Sequence, residues 1–323
     1  MTVSRDSRLI AIGDVHGCAS ELLTLLERIA PTPDTTLVFV GDYIDRGPHS
    51  RQVLDLILET SQRCRVITLM GNHEAMLLDF LFDRNVETAG LFVFNGGGAT
   101  LASYANDKGD YSIPRAHIEL LRSLVLIHQT EDFFFVHAGV PDLPLEQIDL
   151  ETHARDLLWS RRFIESEYRW SKVIVHGHTR VERVELLQHR INVDTGCAYD
   201  NLLSAVELPS RRVISVPRTA KIRTTLLRDK ASRRRAVRFN GAITVLVQRG
   251  EDQLVLETLD YSPIGMFARL VTRCEHNPLK TGDVIFGTIG KEELAMVKFR
   301  GIVVRVLSNA EGQFYGVEIT HHE

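Results

Sequence analysis

No stretch of this chain stays apolar for the roughly 18 to 20 residues that a membrane-spanning helix needs, so spans of that kind are excluded. The opening MTVSRDSRLIAIGD has neither the apolar core nor the small-residue cleavage site of a secretory leader, and none is expected. Cysteine is scarce. Cys18, Cys64, Cys197 and Cys274 are scattered with no C-x-x-C pair, which argues against a thiolate metal site and for packed thiols in a reducing, cytoplasmic compartment. There is no internal repeat and no low-complexity tract. No aromatic platform interleaves with the basic residues, which argues against a nucleic-acid partner.

What is present is a chain of 323 residues, 44% hydrophobic and 25% charged, longer than one ordinary domain and globular in composition. Its net charge of −4 is unevenly spread. Residues 217–323 hold 17 Lys and Arg against 12 Asp and Glu, a balance of +5, while residues 1–216 hold 21 against 30, a balance of −9. The C-terminal third is the better place to expect an anionic ligand.

Up to residue 208, apolar strand-like runs alternate with helical patterns. RLIAIGD (8–14), TLVFVGD (36–42), RVITLMGN (65–72), DFFFVHAG (132–139), KVIVHGH (172–178) and RINVDTG (190–196) read as strands. SELLTLLERIA (20–30), SRQVLDLILETS (50–61) and EAMLLDFLF (74–82) read as helices. This rhythm predicts an α/β core with chemistry at the carboxyl ends of the strands. SRRVISVP (210–217) reads as a closing strand, and the basic PRTAKIRTTLLRDKAS (217–232) as a linker. Beyond it come AITVLVQ, QLVLETLDYS, MFARLV, DVIFGTI, MVKFRGIVVRVLS and FYGVEIT, short strands divided by turn residues, which predict a small all-β barrel or sandwich. The expected organisation is a catalytic domain over 1–216, a basic linker over 217–229 and a β domain over 230–323.

The strand ends carry the chemistry. They deliver Asp14 and His16 in GDVHG, Asp42, Asp45 and Arg46 in GDYIDRG, and Asn72, His73 and Glu74 in GNHE. His137 follows in HAG, and His176 and His178 in HGHT. Asp, His and Asn without thiolates form a mixed nitrogen and oxygen donor set that suits Mn, Fe or Zn better than an all-oxygen Ca or Mg site. These donors exceed one tetrahedral site, and a carboxylate shared by two cations explains the number. Such a pair can activate a hydroxide and clamp a phosphoryl group for in-line attack. An arginine can neutralise phosphate oxygens and a histidine can protonate the leaving oxygen.

These ordered motifs resemble the PPP-type metallophosphatases, nearest to the bacterial and phage serine/threonine phosphatase branch, over about residues 8–208. The resemblance implies a β-sandwich flanked by helices. It implies that Asp14 and His16 bind one metal, that Asp42 bridges, and that Asn72, His137 and His178 complete the second. It makes His73 the general acid paired with Asp45, and Arg46 and Arg161 the phosphate ligands. Arg161 is chosen over Arg162 on Trp159-Ser160-Arg161. His178 outranks His176, which defaults to packing. Asp194 reads equally as a histidine-orienting group or a turn residue, Glu74 as a helix-opening acid, and Cys18 as helix-entry packing.

The C-terminal third adds SRRRAVR (232–238) and DYSPIG (260–265). Guanidinium forks match phosphate oxygens and the O6/N7 edge of guanine, an acid can accept from guanine N–H groups, and a glycine permits close approach. Arg234-x-x-x-Arg238 followed by Asp260-x-Ser262-x-x-Gly265 resembles the PilZ domain. That resemblance implies a six-stranded barrel and a cyclic di-GMP site made by Arg233, Arg234, Arg238, Asp260, Ser262 and Gly265. Met266 stands where many members carry a second glycine. The combined expectation is a phosphomonoesterase using two divalent cations, Mn foremost, with a phosphoprotein substrate and regulation by cyclic di-GMP. Neither a nucleic-acid nor a membrane partner is expected. A diadenosine polyphosphate hydrolase with the same core, and a non-catalytic cyclic di-GMP adaptor, are the alternatives.

Overall fold

The computed structural model describes residues 8–82, 91–106, 110–219, 239–240, 244–249, 252–262, 265–272, 279–289, 297–309 and 312–322. The chain divides into two units. One comprises Met1–Ala75, Ala99–Asn106 and Asp110–Ile222, the other Met76–Gly98, Asp107–Gly109 and Arg223–Glu323. Among the described residues no helix is long and apolar enough to cross a membrane.

In the first unit, β1 (Leu9–Ile12), β2 (Thr36–Phe39) and β3 (Arg65–Thr68) run parallel, with Leu9 opposite Thr36 and Thr36 opposite Arg65. The antiparallel strands β9 (Leu202–Leu208) and β10 (Arg212–Pro217) extend this sheet in the order β10-β9-β1-β2-β3. A second sheet has the order β4-β5-β6-β8-β7. Its strands are β4 (Ile127–Gln129), β5 (Phe133–Val136), β6 (Val173–His176), β7 (Glu185–Leu186) and β8 (Arg190–Asn192).

The two sheets face each other across one core. Ala11, Val38 and Leu69 come from one sheet's side, and Phe133, Phe135, Val175 and Ile191 from the other. Phe134 and Val136 alternate to the opposite face and pack with Leu157 and Phe163. A strand covered on both faces is apolar throughout, which explains the unbroken FFFV. Burying each large side chain contributes about 1.5–3 kcal/mol, so this interior fixes where the strands end. The expected β-sandwich is what the chain forms.

Helices α1 (Ala19–Ile29), α2 (Ser50–Ser61) and α3 (Asn72–Phe82) fall where the apolar spacing placed them. Strand β9, LLSAVEL, has no counterpart among the expected elements. Ser204 interrupts its apolar pattern, yet that hydroxyl is buried and hydrogen-bonded to Thr195 Oγ1 at 2.8 Å and Ser215 Oγ at 2.7 Å.

The segment read as a linker begins inside the fold. Pro217 still pairs with Leu202 in β10, and the Arg218 amide donates to Asn201 O at 2.8 Å. Glu21 of α1 accepts from Arg218 Nη1 at 2.8 Å, from the Thr219 amide at 3.0 Å and from its hydroxyl at 2.7 Å. With side chains 1% and 4% exposed, Glu21 and Arg218 are a buried pair. Cys18, Glu21 and Cys197 have donor atoms close together, but these bonds already occupy the Glu21 oxygens. Burial raises the Glu21 pKa, and the Thr219 and Arg218 bonds more than reverse that, leaving it lowered from 4.5. Its stabilisation is therefore present above about pH 4.5 and lost as pH falls through the folded-state value. We expect Glu21→Gln to cost about 3 kcal/mol at pH 7, read from urea unfolding, with the difference from wild type shrinking in acid.

In the second unit, β12 (Thr244–Arg249), β13 (Asp252–Ser262), β14 (Gly265–Leu270), β15 (Val284–Ile289), β16 (Val297–Asn309) and β17 (Gly312–His322) are antiparallel neighbours. The β13–β14 pairing closes them into the six-stranded barrel, and β11 (Phe239–Asn240) lies against β13. Ile285, Gly287 and Ile289 point inward while Val284 and Phe286 face out, the period of two that a small barrel requires.

Candidate active site

The loops after β1 and β2 are laced together. The amides of Val15 and His16 donate to Asp42 O at 3.0 and 2.8 Å, Gly17 N donates to Tyr43 O at 2.8 Å, and Gly47 N donates to His16 O at 3.0 Å. The backbone bends sharply here. His16, Asp42, Asp45 and Arg46 have φ of 45, 53, 70 and 64°, and His178 has 62°. Each such left-handed residue carries strain of roughly 1–3 kcal/mol, held in place by the surrounding bonds.

Asp42 is central. Its Oδ2 lies 3.4 Å from His16 Nε2 and 3.9 Å from His73 Nε2, and its Oδ1 lies 3.4 Å from His137 Nε2. Asp42 thus joins two donor triads, one with His16 and His73 and one with His137 and His178. His16 Nδ1 donates to Ile44 O at 2.8 Å and His137 Nδ1 to Val40 O at 2.9 Å, which leaves both Nε2 lone pairs facing inward. Burial, then the Arg46 charge, hold His16 down at about 3, so its ring is neutral.

The donor set fits divalent metal. His137 Nε2 meets Asn72 Oδ1 at 3.0 Å and Asp42 Oδ1 at 3.4 Å, three electron pairs converging with no proton between them. His178 Nδ1 reaches the same Asn72 oxygen at 3.1 Å. Asp14 Oδ1 and His73 Nε2 are buried without a hydrogen-bond partner among the described residues. A divalent cation would satisfy the converging His137, Asn72, Asp42 and His178 atoms. Asp14 stands outside both triads. Its Oδ2 accepts the His178 amide at 3.0 Å, and burial, then Asp194 and Asp42, push its carboxyl well above the ordinary range.

His73 Nδ1 donates to Asp45 Oδ2 at 2.6 Å, so the proposed acid and its partner are in contact. Two groups missing from the sequence reading orient Asp45. Thr100 Oγ1 donates to Asp45 Oδ1 at 2.5 Å and accepts the Asp45 amide at 2.8 Å, and Ser50 Oγ lies 3.0 Å from Thr100 Oγ1. Glu74 does more than open α3. Its carboxylate accepts the amides of Asp42 at 2.9 Å, Tyr43 at 2.8 Å, Ile44 at 3.3 Å and Gly71 at 3.1 Å. It ties the Asp42 loop to the α3 entry. Burial and the neighbouring Asp42 charge push Glu74 up to about 8, against the bonds from the Tyr43, Ile44 and Asp42 amides, which favour the anion.

Arg46 reaches His16 Nε2 through Nη1, and its guanidinium lies 5.3 Å from the Tyr199 ring centroid. Arg161 is exposed, and its charge helps to lower His178, behind burial and His137. The Arg162 amide donates to Ser160 Oγ at 3.3 Å. His176 is buried with its ring 4.7 Å from that of Phe163, in keeping with packing. Asp194 Oδ1 accepts the Gly196 amide at 2.9 Å, a turn role. Cys18 flanks α1, where its thiol donates to His16 O at 3.6 Å.

In the barrel, Arg233, Arg234 and Arg238 lie outside the described residues. In β11, Phe239 and Asn240 register against Tyr261 and Asp260. Ser262 is opposite Gly265. A Cβ at Gly265 would lie 2.6 Å from Val317 O, so packing within the barrel also demands this glycine.

Comparison with known proteins supports both halves. The calcineurin-like phosphoesterase family matches residues 7–200, and the PilZ domain matches residues 232–323. The asymmetrical bis(5'-nucleosyl)-tetraphosphatase PrpE of Anoxybacillus flavithermus is 30% identical over 234 residues, covering 64% of this chain and 93% of the relative. Its counterpart from Bacillus cereus strain AH820 is 31% identical over 233 residues, with coverage of 64% and 92%. A crystal structure described as a candidate diadenosine tetraphosphatase superposes with a TM-score of 0.51 at 24% identity, covering 66% of this chain and 95% of that one, a likeness of fold. Through residues 7–200 the chain belongs to the calcineurin-like phosphoesterases, and it carries a PilZ domain at 232–323.

Proposed function

We propose that this phosphoesterase hydrolyses a phosphoanhydride bond of a dinucleoside polyphosphate, and that cyclic di-GMP bound to the PilZ domain sets its rate. The carrying observation for the chemistry is Asp42, whose two oxygens face two separate donor groups. The substrate class rests on relatives of 28–31% identity over 92–93% of their length, which bear the name bis(5'-nucleosyl)-tetraphosphatase. A phosphoserine or phosphothreonine ester would use the same groups, so it moves to second place on this ground alone.

Asp14, His16, Asp42, Asn72, His137 and His178 would hold two divalent ions, with manganese foremost in a mixed nitrogen and oxygen set. When bound, such a pair supplies positive charge to the phosphoryl oxygens and acidifies water. Arg46 and Arg161 grip the same oxygens through charge-assisted hydrogen bonds. His73 is held by Asp45 at Nδ1, which aims Nε2 at the leaving oxygen for proton delivery. Burial, then the Arg46 charge and the neighbouring imidazoles, depress His73. An arriving phosphate acts in the opposite sense and favours its protonated form.

For the receptor half, the support is the PilZ family match over residues 232–323, with Asn240 of β11 in register with Asp260. A coupling of about 1–3 kcal/mol would alter turnover roughly 5- to 150-fold. The test is Mn-titrated turnover of diadenosine tetraphosphate and of a phosphoserine peptide, each with and without cyclic di-GMP. We expect the dinucleotide to be favoured at least about tenfold in kcat/KM, with turnover moved by the cyclic dinucleotide. A preference for the peptide removes the substrate assignment. Unchanged rate and affinity at saturating cyclic di-GMP remove the regulatory one.

A further inference from the structure

We infer that Arg180, positioned by Tyr199, forms a second phosphate subsite beside Arg46, which selects ligands carrying two or more linked phosphates over single phosphate groups. The Arg180 guanidinium lies 4.3 Å from the Tyr199 ring centroid, and that of Arg46 lies 5.3 Å from the same ring. One aromatic ring therefore gathers two cations, and Arg180 is two residues past His178 in the chain. Tyr199 is 48% exposed, so the group is open to a ligand from outside. Among the described residues no carboxylate forms an ion pair with Arg180, which leaves its fork available to an incoming anion.

The fold holds this arginine in place. Gly196, at φ 71°, leaves the space through which the Arg180 stem passes. A Cβ there would lie 2.5 Å from Cδ and 2.7 Å from Cγ of Arg180. On either side the backbone is tied down. Asn192 Nδ2 donates to Thr179 O at 2.7 Å, and the Val181 amide donates to Asp194 O at 3.0 Å. Two neighbouring guanidinium groups repel each other, and the electron-rich face of the ring offsets part of that cost. A chain of linked phosphates offsets the rest, because successive anionic groups can span Arg46 and Arg180. A single phosphate held at Arg46 gains nothing from the second cation. Because its length is prepared in advance, the arrangement favours polyphosphate without a large ordering cost.

The inference rests on the dinucleotide reading for its biological meaning, but its test does not depend on dinucleotide turnover. Hydrolysis of p-nitrophenyl phosphate by the whole chain, in a fixed excess of Mn²⁺, is inhibited in parallel by orthophosphate and by inorganic tripolyphosphate. The quantity read is the ratio of the two inhibition constants. We expect Arg180→Gln to erode the preference for tripolyphosphate about tenfold. Tyr199→Leu should do the same, while Tyr199→Phe, which keeps the ring, should preserve it. A ratio unmoved by Arg180→Gln overturns the subsite, even if wild type cleaves diadenosine tetraphosphate. A ratio moved by Arg180→Gln but untouched by Tyr199→Leu overturns the positioning role of the ring. If wild type cleaves only the phosphopeptide while the ratio shifts as expected, the dinucleotide reading falls and the subsite stands.

Discussion

Asp42→Asn is expected to lower kcat/KM on any phosphate ester by about 10³-fold or more, equivalent to about 4 kcal/mol of lost transition-state stabilisation. Manganese uptake, measured by equilibrium dialysis, should fall from two equivalents to at most one. The reason lies in the two faces of one carboxylate. Oδ2 looks toward His16 Nε2 at 3.4 Å and Oδ1 toward His137 Nε2 at 3.4 Å. An amide keeps one acceptor and replaces the other by an N–H group aimed at a lone pair. It also removes the negative charge that two cations would share. Asparagine tolerates the left-handed backbone that position 42 adopts at φ 53°, so the fold should survive. Unfolding free energies of variant and wild type should therefore agree within a few tenths of a kcal/mol. Wild-type turnover in this variant would sink the bridging assignment.

His73→Asn should lower kcat by about 10²- to 10⁴-fold on an alkyl phosphate, whose leaving oxygen requires a proton. On p-nitrophenyl phosphate the loss should be at most about tenfold, because that oxygen departs as a stable anion. The contrast follows from geometry. His73 is buried, its Nδ1 is bonded to Asp45 at 2.6 Å, and its Nε2 has no hydrogen-bond partner among the described residues. Yet His73 Nε2 also belongs to the triad with His16 and Asp42. If its main task is to hold metal, the loss will be equal across leaving groups and accompanied by weaker manganese uptake. That outcome would retire the acid role and move His73 into the ligand set.

Much of this site was legible because strand ends are legible. A buried strand followed at once by Asp, His or Asn leaves few structural excuses for those residues, and GDVHG, GDYIDRG and GNHE follow three parallel strands of one sheet. Glu74 misled for a physical reason. An acid in the first turn of a helix has a sufficient local explanation, and its bonds to the amides of Tyr43 and Ile44 span 31 and 30 residues of chain. Thr100 is 55 residues from the Asp45 it orients, and no periodicity connects them. Tyr199 and Arg180 meet Arg46 only through the tertiary fold. In the barrel, short β-type runs divided by turn residues marked all six strands. Strand β9 escaped because a buried serine looks polar until its partners are known.

The left-handed backbone at His16, Asp42, Asp45, Arg46 and His178 has a practical corollary for anyone hardening this protein by laboratory evolution. Glycine relaxes such a conformation, by roughly 1 kcal/mol where the lost side chain was not itself bracing the loop. A screen that rewards heat tolerance alone will thus be drawn to these positions, Arg46 above all. It will return sturdier molecules that have gone silent, so survivors must be ranked on turnover from the first round.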